Sequence, residues 1–458
     1  MAAIKPMVSR PNKMTGGTSR SSFAGRTRAL SVLAAACAAC MGMSSASAQI
    51  GAQGDADNTT DITVRFGSGR SDNILKRENL AESGTYTAIG TVVDFSRETT
   101  RTTAEITGDI EFRSFSTSGV KDEPYGDLSA RAEIFAVPDR FSWVVEDRFG
   151  QGRVDPFNTI GPDNQEQINI FATGPALYFP VGARTEVRLT SMVGQRTYGD
   201  SEGFDNDTLE STVGLARQLS TTAEVGLNFE TRDVEYDNPL ADNTIDRVYF
   251  SYTKTLASGA AGLEVGNNTV DFAGRSESHP FFNVNWARDL STRTSVAFNV
   301  QTALFDASDN FRGGQDFFED SLRTTDVYER TGGGASFVVT PDRMRISLVA
   351  NLSEDRYEND MTLDNDMTQL RLTLERTISQ LMTAGVDFNV VERDFSTTDQ
   401  RDKDQRTSLF VERSFGRQLL VNLAYERISR SGVNTAAYDE NSIRVMLMYA
   451  MQRAALNN

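Results

Sequence analysis

The sequence holds two cysteines, one histidine and a single long apolar run, and each scarcity closes off a class of protein. Both cysteines, Cys37 and Cys40, lie in ALSVLAAACAACMGM (29–43), behind Lys5, Arg10, Lys13, Arg20, Arg26 and Arg28 and with no acidic residue before it. A basic stretch, a short apolar run and the small-residue site Ala46, Ser47, Ala48 read as a secretory signal cleaved before Gln49. The run is too short to be kept as a membrane helix. A lipoprotein reading at Cys37 is the weaker one, because the usual leucine sits one position too early. After cleavage no thiol remains, so the mature chain makes no disulfide and no thiolate metal site.

The one histidine, His279 in SESHPFFN, reads as exposed at a loop edge. Ser276 and Ser278 lie beside it, but adjacency in a loop is not the geometry of a Ser–His pair. A metal site built from histidine and thiolate is excluded by counting. The expectation is no catalytic residue, no cofactor and no metal: a protein that is not an enzyme. The acidic stretches DSEGFDND (200–207) and LDNDM (363–367) lack EF-hand spacing and read as solvated loops.

Positive charge is short as well. The net charge is -17, and removing the signal's six cations deepens it to -23. Nucleic acid is therefore excluded as a partner, since it repels such a chain. No run of about 18 apolar residues follows Met43, so no transmembrane helix is expected. The negative mean hydropathy suggests a soluble protein, but barrels defeat that index because lumen and loop residues cancel those facing lipid.

What the chain has in quantity is alternation of period two. In TTAEVGLNFETR (221–232), Ala223, Val225, Leu227 and Phe229 share one side of an extended strand, and Glu224, Asn228 and Glu230 the other. The same pattern recurs at Val248/Phe250/Tyr252, Phe282/Val284/Trp286, Val296/Phe298/Val300, Leu370/Leu372/Leu374, Val386/Phe388/Val390 and Val421/Leu423/Tyr425. Nine turn markers (Thr99, Pro138, Pro180, Leu219, Leu256, Leu290, Pro341, Ile378 and Phe415) recur about every 40 residues, one hairpin each. Five of these connections share a form: RQLS, KTLA, RDLS, RTIS and RSFG, with a hydrophobe third. The opposite connections are longer and polar, such as FGQGRVDPFNTIGPDNQEQ and STTDQRDKDQ.

Short turns at one end and long loops at the other predict an all-β fold: a transmembrane antiparallel up-and-down β-barrel of about 18–20 strands in the outer membrane, with periplasmic turns and extracellular loops. The expected domains are the signal (1–48), an N-terminal segment (49–83) forming a first strand or a lumen insert, and the barrel (84–458). A propeller blade would need turns every 8–12 residues, which the long strand pairs exclude. Residues 49–83 are too few for the plug of a TonB-dependent transporter. Tyr236, Tyr357, Phe395 and Tyr425, near strand ends, are expected to form an interfacial girdle.

The polar strand face is where function is expected. Glu224, Glu230, Arg247, Glu264, Asn283, Asn285, Arg371, Glu375, Asp387, Asn389, Glu412 and Glu426 would point into the lumen. With 16 or more strands a lumen can hold water, unless opposing Arg and Glu zip across it.

The segments GSGRSDNIL, FSWVVEDRFGQG (141–152) and DNQEQINIFATGP (163–175) resemble the porin-like β-barrels found with exopolysaccharide and PEP-CTERM protein-sorting systems of Gram-negative bacteria. The resemblance implies an outer-membrane barrel working beside polysaccharide synthesis or export, and no catalytic residue. The expected function is passage or export of saccharide through the polar lumen, with a non-conducting structural or docking barrel as the alternative. The expected partners are outer-membrane lipid and lipopolysaccharide, the barrel assembly machinery, and polysaccharide or its export machinery.

Overall fold

A computed structural model describes residues 59–452, apart from 80, 118–119, 160, 200–201, 273 and 307–322. The expected signal, residues 1–48, lies outside the described residues. Twenty strands account for nearly all of the rest. The first seven are β1 (Thr59–Ser71), β2 (Gly84–Glu98), β3 (Thr102–Phe115), β4 (Glu123–Val137), β5 (Phe141–Arg153), β6 (Gln165–Gly182) and β7 (Thr185–Tyr198). Then come β8 (Asn206–Ser220), β9 (Ala223–Tyr236), β10 (Asn243–Leu256), β11 (Gly259–Phe272), β12 (Arg275–Ser291), β13 (Thr294–Phe305) and β14 (Tyr328–Val339). The chain finishes with β15 (Met344–Tyr357), β16 (Asn365–Ser379), β17 (Met382–Phe395), β18 (Gln400–Phe415), β19 (Leu419–Val433) and β20 (Tyr438–Gln452).

Each strand pairs antiparallel with its sequence neighbour, and β1 pairs with β20, from Ile62 opposite Gln452 to Ser71 opposite Ser442. The sheet is thus a closed barrel with no free edge. The nine sequence hairpins, with the terminal strands added, give this count of twenty.

Registers show why the chain needs lipid. Leu447, Phe66, Ile89 and Phe112 stand side by side across β20, β1, β2 and β3. Leu215, Leu227, Phe250 and Val265 do the same across β8 to β11. All eight point outward and are exposed, Phe66 by 60% and Leu227 by 57%. A soluble monomer leaves apolar patches of only a few hundred Å² open, whereas this belt continues around the wall. An apolar outer belt on a closed barrel is the form taken by outer-membrane proteins, and that is where this chain resides.

The short connections lie between β2 and β3, β4 and β5, and so on to β18 and β19, all at one end. Several turn markers sit inside the preceding strand: Pro180 in β6, Leu219 in β8, Leu290 in β12 and Ile378 in β16. The hydrophobe of RQLS, RDLS and RTIS is an outward residue exposed at the lipid rim, and the turn itself follows it. At the other end some expected loops prove to be strand. STTDQRDKDQ (396–405) turns only over 396–399, with β18 starting at Gln400. A strand needs about 9–11 residues to cross the membrane, and these run from 12 to 18. The surplus projects beyond lipid, where the outer face is charged: Glu392 faces Lys403, and Asp394 pairs with Arg401, across β17 and β18.

Candidate functional site

The inner wall alternates with the lipid-facing residues strand by strand. On β9 the exposed Leu227 and Phe229 alternate with Glu224, Asn228 and Glu230, which are half-buried. Asn228 donates to Ser251 Oγ at 3.1 Å. Glu224 accepts both terminal nitrogens of Arg188, at 2.9 and 3.1 Å. Glu230 lies 3.5 Å from Arg247, whose Nε donates to Asn268 at 2.8 Å and whose guanidinium covers the Phe281 ring at 4.6 Å.

The remaining candidates fall into the same pattern of partners within one stretch of wall. Asn283 donates to Glu264 at 2.9 Å, Arg371 to Asp387 at 3.1 Å, and Arg406 meets Glu426 at 3.2 Å. Glu375 stands opposite Arg345 and Glu412 opposite Asn422, both toward the turn end. The ion pairs among them, Arg188–Glu224, Arg247–Glu230, Arg371–Asp387 and Arg406–Glu426, run along the wall and do not bridge the lumen.

Asn285 and Asn389 belong to a different feature. Asn285 opposes Asn299, Asn299 opposes Gly334, Gly334 opposes Asn351, and Asn351 opposes Gln369. Asn351 donates to Gln369 at 3.0 Å, and Gln369 to Asn389 at 3.2 Å. A row of uncharged amides thus crosses six strands, β12 to β17. Gly334 leaves room for its neighbours, since a Cβ there would overlap the Asn351 amide oxygen and come within 2.9 Å of that of Asn299, pushing both amides aside. A hollow of about 580 Å³ lies against this row. It shares Gln369 and Arg371 with a second hollow of about 520 Å³, walled by Arg65, Glu111 and Arg444 and reached by Lys76 and Pro162 from two loops. A larger hollow of about 1050 Å³ lies at the outward-facing Phe171, Val193 and Leu209, away from the amide row.

At the loop end the arrangement changes, because loops fold inward and meet. The β5–β6 loop carries Pro156, whose carbonyl accepts from Arg153 at 3.3 Å and from Arg430 of β19 at 3.4 Å. Phe157 packs edge-on against Phe395 of β17 at 5.0 Å. Beneath them, Asp402 accepts from Arg430 at 2.6 Å and from Arg393 at 3.3 Å, and Asp404 lies 4.0 Å from Arg153. Asp402 and Arg430 are both 0% exposed. Next to this, Arg323 ahead of β14 donates to Glu166 at 3.1 Å and its backbone N–H to Arg153. Arg77 of the β1–β2 loop donates to Asp163 at 2.9 Å. Asp306, following β13, is buried against Arg196 at 3.2 Å and Arg232 at 3.8 Å. A span of loops therefore runs across the lumen from β5 to β17–β19.

The expected aromatic girdle is corrected here. Tyr236, Tyr357 and Phe395 are buried on the inner face, and only Tyr425 points out. Tyr357 stacks on Tyr328 at 4.9 Å. The reason is parity: Tyr236 is six residues from the inward Glu230, hence on the same face. His279 is likewise no loop-edge residue, since it lies within β12 and faces Glu329 and Glu358.

The fold and inner wall define a membrane-spanning barrel with a polar, loop-spanned lumen. No protein-family model and no curated protein matches the sequence. Solved structures with a similar overall form include the FrpB iron transporter of Neisseria meningitidis, 10% identical over 86% of this chain and 82% of that one, with a TM-score of 0.43. The siderophore receptor PirA of Acinetobacter baumannii is 9% identical over 87% and 81%, TM-score 0.46. OccK2 of Pseudomonas aeruginosa is 9% identical over 86% and 98%, TM-score 0.38. Similarity this low assigns no substrate.

Proposed function

We propose that the barrel passes or exports saccharide along its polar lumen, with the loop span limiting access from the outer face. The observation that carries this reading is the amide row from Asn285 to Asn389. Each amide offers a donor and an acceptor together, which matches a sugar hydroxyl, and carries no net charge. Such groups from five of the six strands β12 to β17 give many weak contacts instead of one tight site, as a conducting path requires. The resemblance of residues 141–152 and 163–175 to exopolysaccharide-associated barrels supports saccharide as the cargo. The wall pairs Arg188–Glu224, Arg247–Glu230, Arg371–Asp387 and Arg406–Glu426 serve this reading by cancelling charge that would otherwise draw ions.

A second reading, a docking barrel that conducts nothing, draws on the loop span. Planar-bilayer conductance of the folded protein separates the two. The intact barrel is expected to conduct weakly, and deletion of residues 155–163 to raise steady conductance severalfold, with soluble oligosaccharides then reducing it. Silence from both, when both migrate as folded barrels, would leave docking as the function.

Gly334→Val tests the amide row by itself. Its side chain displaces the Asn299 and Asn351 amides, so the sugar concentration for half block in the loop-deleted channel is expected to rise about tenfold, about 1.4 kcal/mol. An unchanged block would place the sugar contacts elsewhere.

A further inference from the structure

The chain's one histidine sits in an arrangement that passage through the lumen does not use. Its ring lies where β12 has run past its pairing with β13, which ends at Phe282. His279 Nδ1 is 2.9 Å from Glu329 Oε2, on β14, and Nε2 is 3.1 Å from Glu358 Oε1, just after β15. Glu277, two residues along the same face of β12, adds a third carboxylate. Ligand atoms of Glu277, His279 and Glu358 all lie within 4.8 Å of one another.

The two sides of the imidazole are not equivalent. In the neutral ring with its proton on Nδ1, donated to Glu329, Nε2 carries a bare lone pair; the other arrangement is a proton on each nitrogen. Nε2 is buried and makes no hydrogen bond, although a carboxylate oxygen faces it at 3.1 Å. Two lone pairs at that distance repel unless a positive charge lies between them. Asp326 is occupied in capping the Asn359 and Asp360 N–H groups, and Arg275 stands 4.0 Å from Glu277.

A carboxylate that holds the far nitrogen of a histidine is the usual support of a metal-binding imidazole. In a tetrahedral site with bonds of about 2.0–2.2 Å, ligand atoms stand roughly 3.4 Å apart, close to the spacing of Nε2 and Glu358. One imidazole with two carboxylates suits zinc better than magnesium or calcium, which prefer oxygen alone. We propose that Glu277, His279 and Glu358 bind a divalent ion of the zinc type at the loop-end rim, with Glu329 orienting the imidazole. Counting histidines and cysteines misses such a site, because most of its ligands are carboxylates.

The test uses the full-length folded protein in detergent, free of any polyhistidine tag, at pH 7.5. With one histidine in the sequence, ¹⁵N-histidine labelling gives signals from His279 alone. Adding zinc chloride is expected to shift the Nε2 signal, leave Nδ1 protonated and saturate at one equivalent, with a tenfold excess of magnesium having no effect. His279→Ala and Glu358→Gln, each running as a folded barrel, are expected to lose that equivalent, and Glu329→Gln to bind about 10–100-fold more weakly. An imidazole protonated on both nitrogens that ignores zinc would overturn the proposal in favour of an ion pair with Glu329 and Glu358. So would zinc uptake unchanged in His279→Ala, which would mean adventitious binding to acidic loops.

Discussion

Asp402→Ala is expected to destabilise the barrel by about 3–5 kcal/mol, the loss found when one partner of a buried ion pair is removed. Asp402 accepts from both Arg430 and Arg393, and Arg430 has no exposed surface on which to find water instead. The Arg430 charge would remain buried with Asp404, 3.9 Å away, as its remaining carboxylate. A second measurement separates this penalty from a real gain in the pair: Asp402→Leu combined with Arg430→Met is expected to cost much less than Asp402→Ala alone. The exposed pair Arg401–Asp394, one residue away along β18, provides the contrast, because Arg401→Ala should leave the urea midpoint nearly unchanged. Equal midpoints for Asp402→Ala and Arg401→Ala would show that the buried pair contributes nothing to stability.

Leu227→Arg is expected to cost about 2–4 kcal/mol, the loss for a cation facing lipid near the midplane of a barrel. Leu227 lies between Leu215 and Phe250 in the outer belt, well inside β9. Asn228→Arg, one position on, places the same charge on the inner wall beside Ser251, and the loss should be far smaller. Refolding yield into lipid vesicles and urea unfolding of the folded fraction measure both. If the two variants lost equally, the assignment of faces would be wrong for this strand.

Much of this architecture was legible because alternation is local. Val248, Phe250 and Val265 announce their faces within a few residues, and nine hairpins plus two terminal segments count out twenty strands. The loop end was not legible, for two physical reasons. Strands continue past the lipid, where the outward residues turn charged and a hydrophobic alternation no longer marks them, as with Lys403 and Arg401 in a stretch that reads as loop. Contacts between distant segments also leave no local signature: nothing near Pro156 says that its carbonyl meets Arg430. Parity could have reached further than hydrophobicity did. Arg393 continues the face of Asn389, and Arg430 that of Glu426, so both inner-wall arginines follow from extending the count by two and then two again. The same count places Tyr236 and Phe395 inside.

The pairing of β1 with β20 has a consequence for how the molecule comes to be. Every other hairpin can zip up from residues close in the chain, whereas Ser71 must find Ser442 after everything between them is in place. Closure therefore comes late, and until then two long strand edges stand open to other chains, the state in which a barrel aggregates. The contacts of Pro156 and Arg153 with β18 and β19 join walls that come together only once that seam has shut. Interactions formed after the transition state slow unfolding without speeding folding. The span of loops over the lumen thus acts as a latch on the finished barrel, setting its lifetime more than its rate of assembly.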